Sequence, residues 1–102
     1  MSLDDEYTIG ETVYVWKTVR ERGGQKADPS VSIKVTIDDP DGAVKVNDAA
    51  MTKDAVGEYY YPYTLTAGDV VGLWNTEAII KNGSPEKVVI EPDTFTAIVR
   101  TT

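Results

Sequence analysis

Apolar and polar residues alternate along much of this 102-residue chain, which is the pattern of β-strands with one buried face. The alternation runs on both sides of a short connection at 67–69, where Gly68 and Asp69 favour a turn. The inward positions are Tyr59, Tyr61, Tyr63 and Leu65 before the turn, and Trp74, Thr76, Ala78 and Ile80 after it. We interpret this segment as a crossing between the two sheets of a small sandwich, with Trp74 in the core.

The other predicted strands are short and are separated by turn residues. They cover 7–9, 11–19, 31–37, 43–46 and 95–99, with a mostly apolar segment at 87–90 that Glu91, Pro92 and Asp93 interrupt. Inward faces are expected at Val31, Ile33, Val35 and Ile37, and at Phe95, Ala97 and Val99. Loops are predicted at 20–30, 38–42, 53–57 and 81–85, with a positive φ at Gly42. The pattern predicts an all-β, antiparallel two-sheet β-sandwich of about seven strands, of the immunoglobulin type.

Two positions within the predicted strands leave alternatives open. Val13 and Val15 face inward in their strand, so the same parity places Lys17 inward. Either the Lys17 ammonium reaches the edge of the sheet, or a bulge near it returns Val19 to the core. In the tyrosine strand, Pro62 removes a backbone donor, which indicates an edge or a bulge there.

Length and charge indicate one small domain. Residues 1–6 are an acidic lead-in that we expect to be flexible, and 7–102 form a single sandwich domain. Seventeen acidic and ten basic residues give a net charge of −7, which argues against nucleic acid and anionic membranes as partners. The sequence has no visible signal peptide and no apolar run of membrane-spanning length, so we expect a soluble protein.

Several motifs, in their order along the chain, resemble a family pattern. They are Tyr7-Thr-Ile-Gly-Glu-Thr-Val13, Asp28-Pro29, Asp39-Pro40-Asp41-Gly42, Gly57-Glu-Tyr59, Gly72-Leu-Trp74 and Phe95-Thr-Ala-Ile98. Together they resemble small prokaryotic immunoglobulin-like (fibronectin III-like) β-sandwich domains. Within that group they are most similar to short stand-alone proteins encoded among the structural genes of bacteriophages and prophages. The resemblance implies a structural or adhesive role without catalysis, and association with a virion or a similar assembly.

The side chains that enzymes use most often are missing from the sequence. It contains no histidine and no cysteine, and its serines occupy turns or outward positions without a nearby base. We therefore predict no catalytic site and no cofactor. Calcium would need converging oxygen ligands, and Asp38, Asp39, Asp41 and Asp48 are the candidates. Turn chemistry already explains these aspartates, and Asp28 is interpreted as a loop-capping acid.

Three aromatic residues, Tyr14, Trp16 and Tyr60, have the parity of an outer face. If their two strands pair, they form one exposed patch, which predicts protein partners or self-association. The alternatives are scattered surface aromatics, or a bulge at Lys17 that rotates Trp16 into the core. Carbohydrate stacking ranks lower, because no arrangement of Asn, Gln or Arg accompanies the rings.

We predict a non-catalytic structural or protein-interaction domain that belongs to a phage or prophage particle or to a similar assembly. One alternative is a module excised from a prokaryotic surface adhesin. The other is an accessory domain that binds sugar or calcium. Gene neighbourhood separates the first two, and calcium-dependent melting tests the third.

Overall fold

The computed structural model describes residues 6–20, 23–83 and 87–99. These residues form the strands β1 (Glu6–Thr8), β2 (Thr12–Thr18), β3 (Ser32–Asp38), β4 (Val44–Ala50), β5 (Thr52–Ala55), β6 (Glu58–Thr64), β7 (Gly72–Asn82) and β8 (Lys87–Ile98), and no helix. The strands make two sheets, ordered β1-β8-β7-β3-β4 and β2-β6-β5. The predicted all-β, two-sheet architecture is confirmed. The described residues contain eight strands instead of about seven, and the β1–β8 pair is parallel.

The core lies between the inward faces of the two sheets, and Trp74 is at its centre. Trp74 is fully buried, and its ring stacks on Phe95 with 5.5 Å between the ring centroids. The other predicted inward residues that are buried are Val13, Val15, Ile33, Val35, Ile37, Tyr59, Leu65, Thr76, Ala78, Ile80 and Ala97. Tyr61 and Tyr63 are half-buried and pack against this core. As predicted, the chain crosses between the sheets after Leu65.

Lys17 points inward without a bulge. The β2–β6 register runs unbroken from the Thr12–Thr64 pair to the Thr18–Glu58 pair, so parity is kept along the whole strand. The Lys17 side chain is only 9% exposed, and its ammonium lies 3.8 Å from a carboxylate oxygen of Asp93 on the opposite sheet. Val19 is buried as well. The ion pair with Asp93 allows a charged side chain to occupy an inward position.

Pro62 is accommodated by an open edge. The N–H of Val19 donates to the carbonyl of Gly57, and the carbonyl of Glu11 accepts from the N–H of Leu65, so the odd-numbered residues of β2 bond to β6. Pro62 lies opposite the even-numbered Tyr14, so its nitrogen points away from β2. On that side β5 pairs with β6 only as far as Tyr60. The proline therefore removes no ladder hydrogen bond.

Some predicted boundaries were wrong. Segment 53–57 was interpreted as a turn, but the chain changes sheets at Met51 and forms β5. Val31 precedes β3 and is 52% exposed, and Val99 follows β8 and is 65% exposed, so neither joins the inner face.

The segment Glu91-Pro92-Asp93 does not interrupt β8. The carbonyl of Ile98 accepts a hydrogen bond from Ile9 on the β1 side, and Pro92 has the same parity. Among the described residues, β1 pairs with β8 only from Thr96 onwards, so no described strand lies beside the nitrogen of Pro92. The strand continues through the proline for the same reason as β6 does.

Candidate functional site

The outer face of the β2–β6 pair carries Tyr14, Trp16 and Tyr60, which we call the aromatic patch. Tyr14 and Trp16 are 51% and 52% exposed, and Tyr60 between them is half-buried. The ring centroid of Tyr60 lies 5.1 Å from that of Trp16 and 5.9 Å from that of Tyr14. The structure therefore brings the three predicted site residues together on the surface. Their role in binding stays a prediction.

The strand register explains why these rings touch. Trp16 is directly opposite Tyr60, and this is a non-hydrogen-bonded pair by the alternation along β2. In such pairs the side chains of antiparallel strands approach most closely. Tyr14 reaches Tyr60 along the diagonal. The aromatic patch is thus held by backbone register and needs no loop to position it.

Pro62 lies beside the aromatic patch, although the sequence pattern indicated only an edge or a bulge at this position. It is exposed and pairs directly with Tyr14, so its ring extends the apolar area. Pro62 is two residues from Tyr60 in the chain, and this spacing could have predicted that both lie on the outer face of the strand. Beyond it, the hydroxyls of Thr12 and Thr64 are hydrogen-bonded at 2.9 Å and form a polar end to the surface.

The other side of the aromatic patch has a charged rim. Lys26 forms an ion pair with Glu58, which is the residue opposite Thr18 at the end of β2. Thr52 of β5 lies opposite Tyr60. The arrangement is an apolar centre with polar surroundings, which is the usual anatomy of a protein-binding surface.

The four calcium candidates do not converge. Asp39 is buried, and its Oδ1 accepts hydrogen bonds from the backbone N–H groups of Asp41 and Ala43, at 3.0 and 2.9 Å. Gly42 in this turn has the predicted positive φ, 86°. Asp48 lies 3.8 Å from the ammonium of Lys34. In the described part of the chain, no group of three acidic, histidine or cysteine side chains is placed to hold a metal ion.

The fourth candidate, Asp38, lies at the end of β3, and its buried Oδ1 has no hydrogen-bond partner among the described residues. Of the acids at 38–42, Asp39 is the one whose hydrogen bonds hold the turn.

Asp28 is the most strongly perturbed carboxylate of the described residues, and its role is structural. One oxygen accepts hydrogen bonds from the backbone N–H of Gly57 and from the Tyr59 hydroxyl, both at 2.9 Å. The other accepts from the ammonium of Lys53 at 2.7 Å. The bond from Gly57, followed by those from Lys53 and Tyr59, lowers the pKa of Asp28 to about 2. Asp28 caps the loop against β6, as predicted.

An open cleft of about 540 Å³ lies at the end of the sandwich where β7 and β8 extend furthest. Its lining is Val19, Arg20, Ile80, Asn82, Lys87, Val89 and Glu91. This lining contains no hydroxyl, thiol or imidazole side chain, and its charged groups are those of Arg20, Lys87 and Glu91. We therefore assign no chemistry to the cleft.

Comparison with known proteins adds no relative: no family model, no curated protein and no solved structure matches the chain. Across residues 6–20, 23–83 and 87–99, no helix is long and apolar enough to span a membrane.

Proposed function

We propose that the protein is a non-catalytic immunoglobulin-like domain that binds another protein through the aromatic patch. The strand order supports the fold assignment. If β2 to β8 correspond to strands B to G of that fold, β2-β6-β5 corresponds to B-E-D and β8-β7-β3-β4 to G-F-C-C′. The parallel β1 then occupies the place of a first strand next to G.

The corner between β6 and β7 also supports this assignment. Immunoglobulin-like domains have a conserved tyrosine near the start of strand F, whose hydroxyl bonds to the backbone a few residues upstream. Here Trp74, near the start of β7, donates from its indole nitrogen to the carbonyl of Val70 at 2.8 Å. The same corner is closed with a different aromatic donor.

The observation that carries the binding role is a cluster of three aromatic rings on the outer face of a regular sheet, two of them about half exposed. Trp16 and Tyr14 are each about half exposed, although the chain has a core in which other large apolar side chains are buried. Contiguous apolar areas usually mark interaction surfaces, and tryptophan and tyrosine contribute most to binding energy. A flat sugar platform is less well supported, because Trp16 and Tyr14 are tilted by 38° and 42° from Tyr60.

The assembly in which the domain works is proposed from the sequence resemblance alone. We propose a phage or prophage particle, with a prokaryotic surface adhesin as the alternative. Genes for capsid or tail proteins beside this one would favour the first setting. A single long reading frame for a secreted protein would favour the second.

The binding role is tested with Trp16→Lys and with the control Val44→Lys. Val44 is 55% exposed on β4, in the other sheet, so the control adds the same charge at a similarly exposed apolar site. Binding to the purified products of the adjoining genes is measured by biolayer interferometry, and folding by thermal melting. We expect Trp16→Lys to weaken binding about tenfold or more with an unchanged melting temperature. Equal binding by the parent and Trp16→Lys would overturn the proposal.

A further inference from the structure

The outer edge of β2 has no neighbouring strand among the described residues along its whole length. In the order β2-β6-β5, β6 lies on one side of β2, and no described strand lies on the other. The odd-numbered residues of β2 bond to β6, so the backbone N–H and C=O groups of the even-numbered residues face this open edge. These residues are Thr12, Tyr14, Trp16 and Thr18. Two of them carry the exposed rings of the aromatic patch.

The other sheet edges in the described residues have features that oppose pairing, because an exposed regular edge invites another strand. β1 has three residues, and the part of β8 that β1 does not cover contains Pro92, which has no N–H to donate. β5 has four residues with a register shift. β4 has two register shifts against β3, and Asp48 within it has a positive φ of 53°. β2 has seven residues and no register shift. It is the edge best suited to accept a strand.

We propose that the partner at this edge is a second copy of the chain, paired antiparallel through β2. The inference rests on the proposed function and deepens it by naming one partner of the aromatic patch. If the two copies are related by a two-fold axis that passes beside Val15, each of the seven residues of β2 lies opposite a residue of β2 in the second copy. The residues whose backbone N–H and C=O groups face the open edge then lie opposite one another and can form hydrogen bonds. Thr12 pairs with Thr18 of the second copy, and Tyr14 with Trp16 of the second copy.

This register joins the two aromatic patches into one surface. Each Tyr14 becomes the direct cross-strand neighbour of Trp16 in the second copy, and aromatic cross-strand pairs stabilise sheets. The two three-stranded sheets become one six-stranded sheet, ordered β5-β6-β2-β2-β6-β5. On the inner face, Val15 meets Val15 of the second copy.

Charge permits this pairing. β2 contains no acidic residue, although the chain has a net charge of −7. Its one charged residue, Lys17, has a side chain that is 9% exposed and directs its ammonium to Asp93 on the opposite sheet. In the proposed register Lys17 is opposite Val13, so like charges do not face each other. Repulsion then acts only between the two net charges, and salt should strengthen the dimer by screening it.

The interface is small. One strand pair with its flanking side chains buries less surface than the roughly 1,200 Å² at which the interfaces of stable complexes usually begin. We therefore expect a dissociation constant between about 10 μM and 1 mM.

Analytical ultracentrifugation of the purified protein from about 10 μM to 1 mM tests the dimer, which should double the mass from 11.2 kDa. Thr18→Pro removes an N–H that faces the open edge and leaves the β2–β6 hydrogen bonds intact, so the fold should be retained. We expect it to weaken the dimer about tenfold or more. The control Thr18→Val keeps the N–H and should dimerise as the parent does.

Amide hydrogen exchange, followed by NMR, tests the register. The amides of Tyr14 and Trp16 should exchange quickly in dilute protein and become protected as the concentration rises, whereas those of Val13 and Val15 should be protected throughout. A parent that stays monomeric at 1 mM, or a dimer that forms without protecting Tyr14 and Trp16, would overturn the inference.

The two proposals can fail separately. If Trp16→Lys abolishes the dimer and Thr18→Pro leaves it unchanged, the aromatic patch binds through its face and the edge pairing is wrong. If Thr18→Pro abolishes the dimer while Trp16→Lys leaves binding to the adjoining gene products unchanged, the edge pairing stands and the proposed function is wrong.

Discussion

The indole nitrogen of Trp74 donates a hydrogen bond to the carbonyl oxygen of Val70, 2.8 Å away and four residues earlier in the chain. This bond satisfies the one polar atom of a fully buried side chain. It also fixes the connection between β6 and β7 at the place where the chain passes from one sheet to the other. The largest core residue therefore also positions the crossing.

Replacement of Trp74 by alanine should remove a large part of the stability. The substitution leaves a cavity beside Phe95 and Tyr63, whose rings lie 5.5 and 5.7 Å from the indole, and should cost about 3–5 kcal/mol. Trp74→Phe loses the donor to Val70 but keeps a ring in the core, so it should cost less free energy of unfolding than Trp74→Ala does. Urea unfolding measures both. A melting temperature of Trp74→Ala within a few degrees of the parent would contradict the central position of this residue.

Substitution of Gly57 should be much more damaging than its size implies. A Cβ atom there would lie 2.7 Å from the Val19 carbonyl oxygen and 2.8 Å from the Ala27 nitrogen, and its φ is 72°. Gly57→Ala should therefore cost about 3 kcal/mol or more. Gly68→Ala is the control, because nothing lies within 4 Å of its Cβ position. Similar chemical denaturation curves for the two variants would show that the approach of the loop to Gly57 is not tight.

Asp28 should make the fold sensitive to acid. Its pKa is about 2 in the folded protein, below the ordinary 3.8, so its contribution is fully present above pH 3.8 and is lost as the pH falls towards 2. Asp28→Asn should lower the melting temperature at neutral pH and flatten its pH dependence between about 4 and 2. Asp54→Asn, at an exposed position of β5, should keep the parent's dependence. If the melting temperature of Asp28→Asn depended on pH as steeply as that of the parent, Asp28 would not be the source of the acid sensitivity.

Tyr63 should make the stability of the fold depend on pH in the alkaline range. Burial, and after it the charge of Asp69 and the hydrogen bond to it, raise the pKa of Tyr63 from 10.0 to about 12. Its contribution is therefore present below pH 10 and is lost as the pH rises through 12. Tyr63→Phe should reduce the loss of stability in this interval, whereas the control Tyr14→Phe, at a half-exposed position on the outer face, should not. Alkaline melting curves of the three proteins compare these effects.

Local pattern was sufficient for the faces of the strands but not for their ends. The parity of Tyr14, Trp16 and Tyr60 was readable because side chains alternate along a strand whatever its neighbours are. Strand β5 was missed because none of its four residues is buried, so it has no apolar alternation. Pro92 was interpreted as an interruption because its tolerance depends on where β1 begins beside β8, which is a long-range property.

The candidate site was only half predictable for the same reason. Exposure of Trp16 followed from parity, but its contact with Tyr60 depends on the register between strands about forty residues apart in the chain. Pro62 was considered for its missing donor and not for its place beside Tyr14. The open edge of β2 follows from the order of strands in the sheet, which no local pattern contains.

The parallel pairing of β1 and β8 has a mechanical consequence. In a parallel pair, Glu6 at the start of one strand and Ile98 at the end of the other lie at opposite ends, so tension between them acts along the strands. Such a load strains the β1–β8 hydrogen bonds and the bond from Ile9 to Ile98 all at once. Tension that separates Asn82 from Lys87 would instead open the β7–β8 ladder one pair at a time. Force spectroscopy should find higher rupture forces in the first geometry, so a short three-residue strand can hold the domain closed when it is pulled lengthwise.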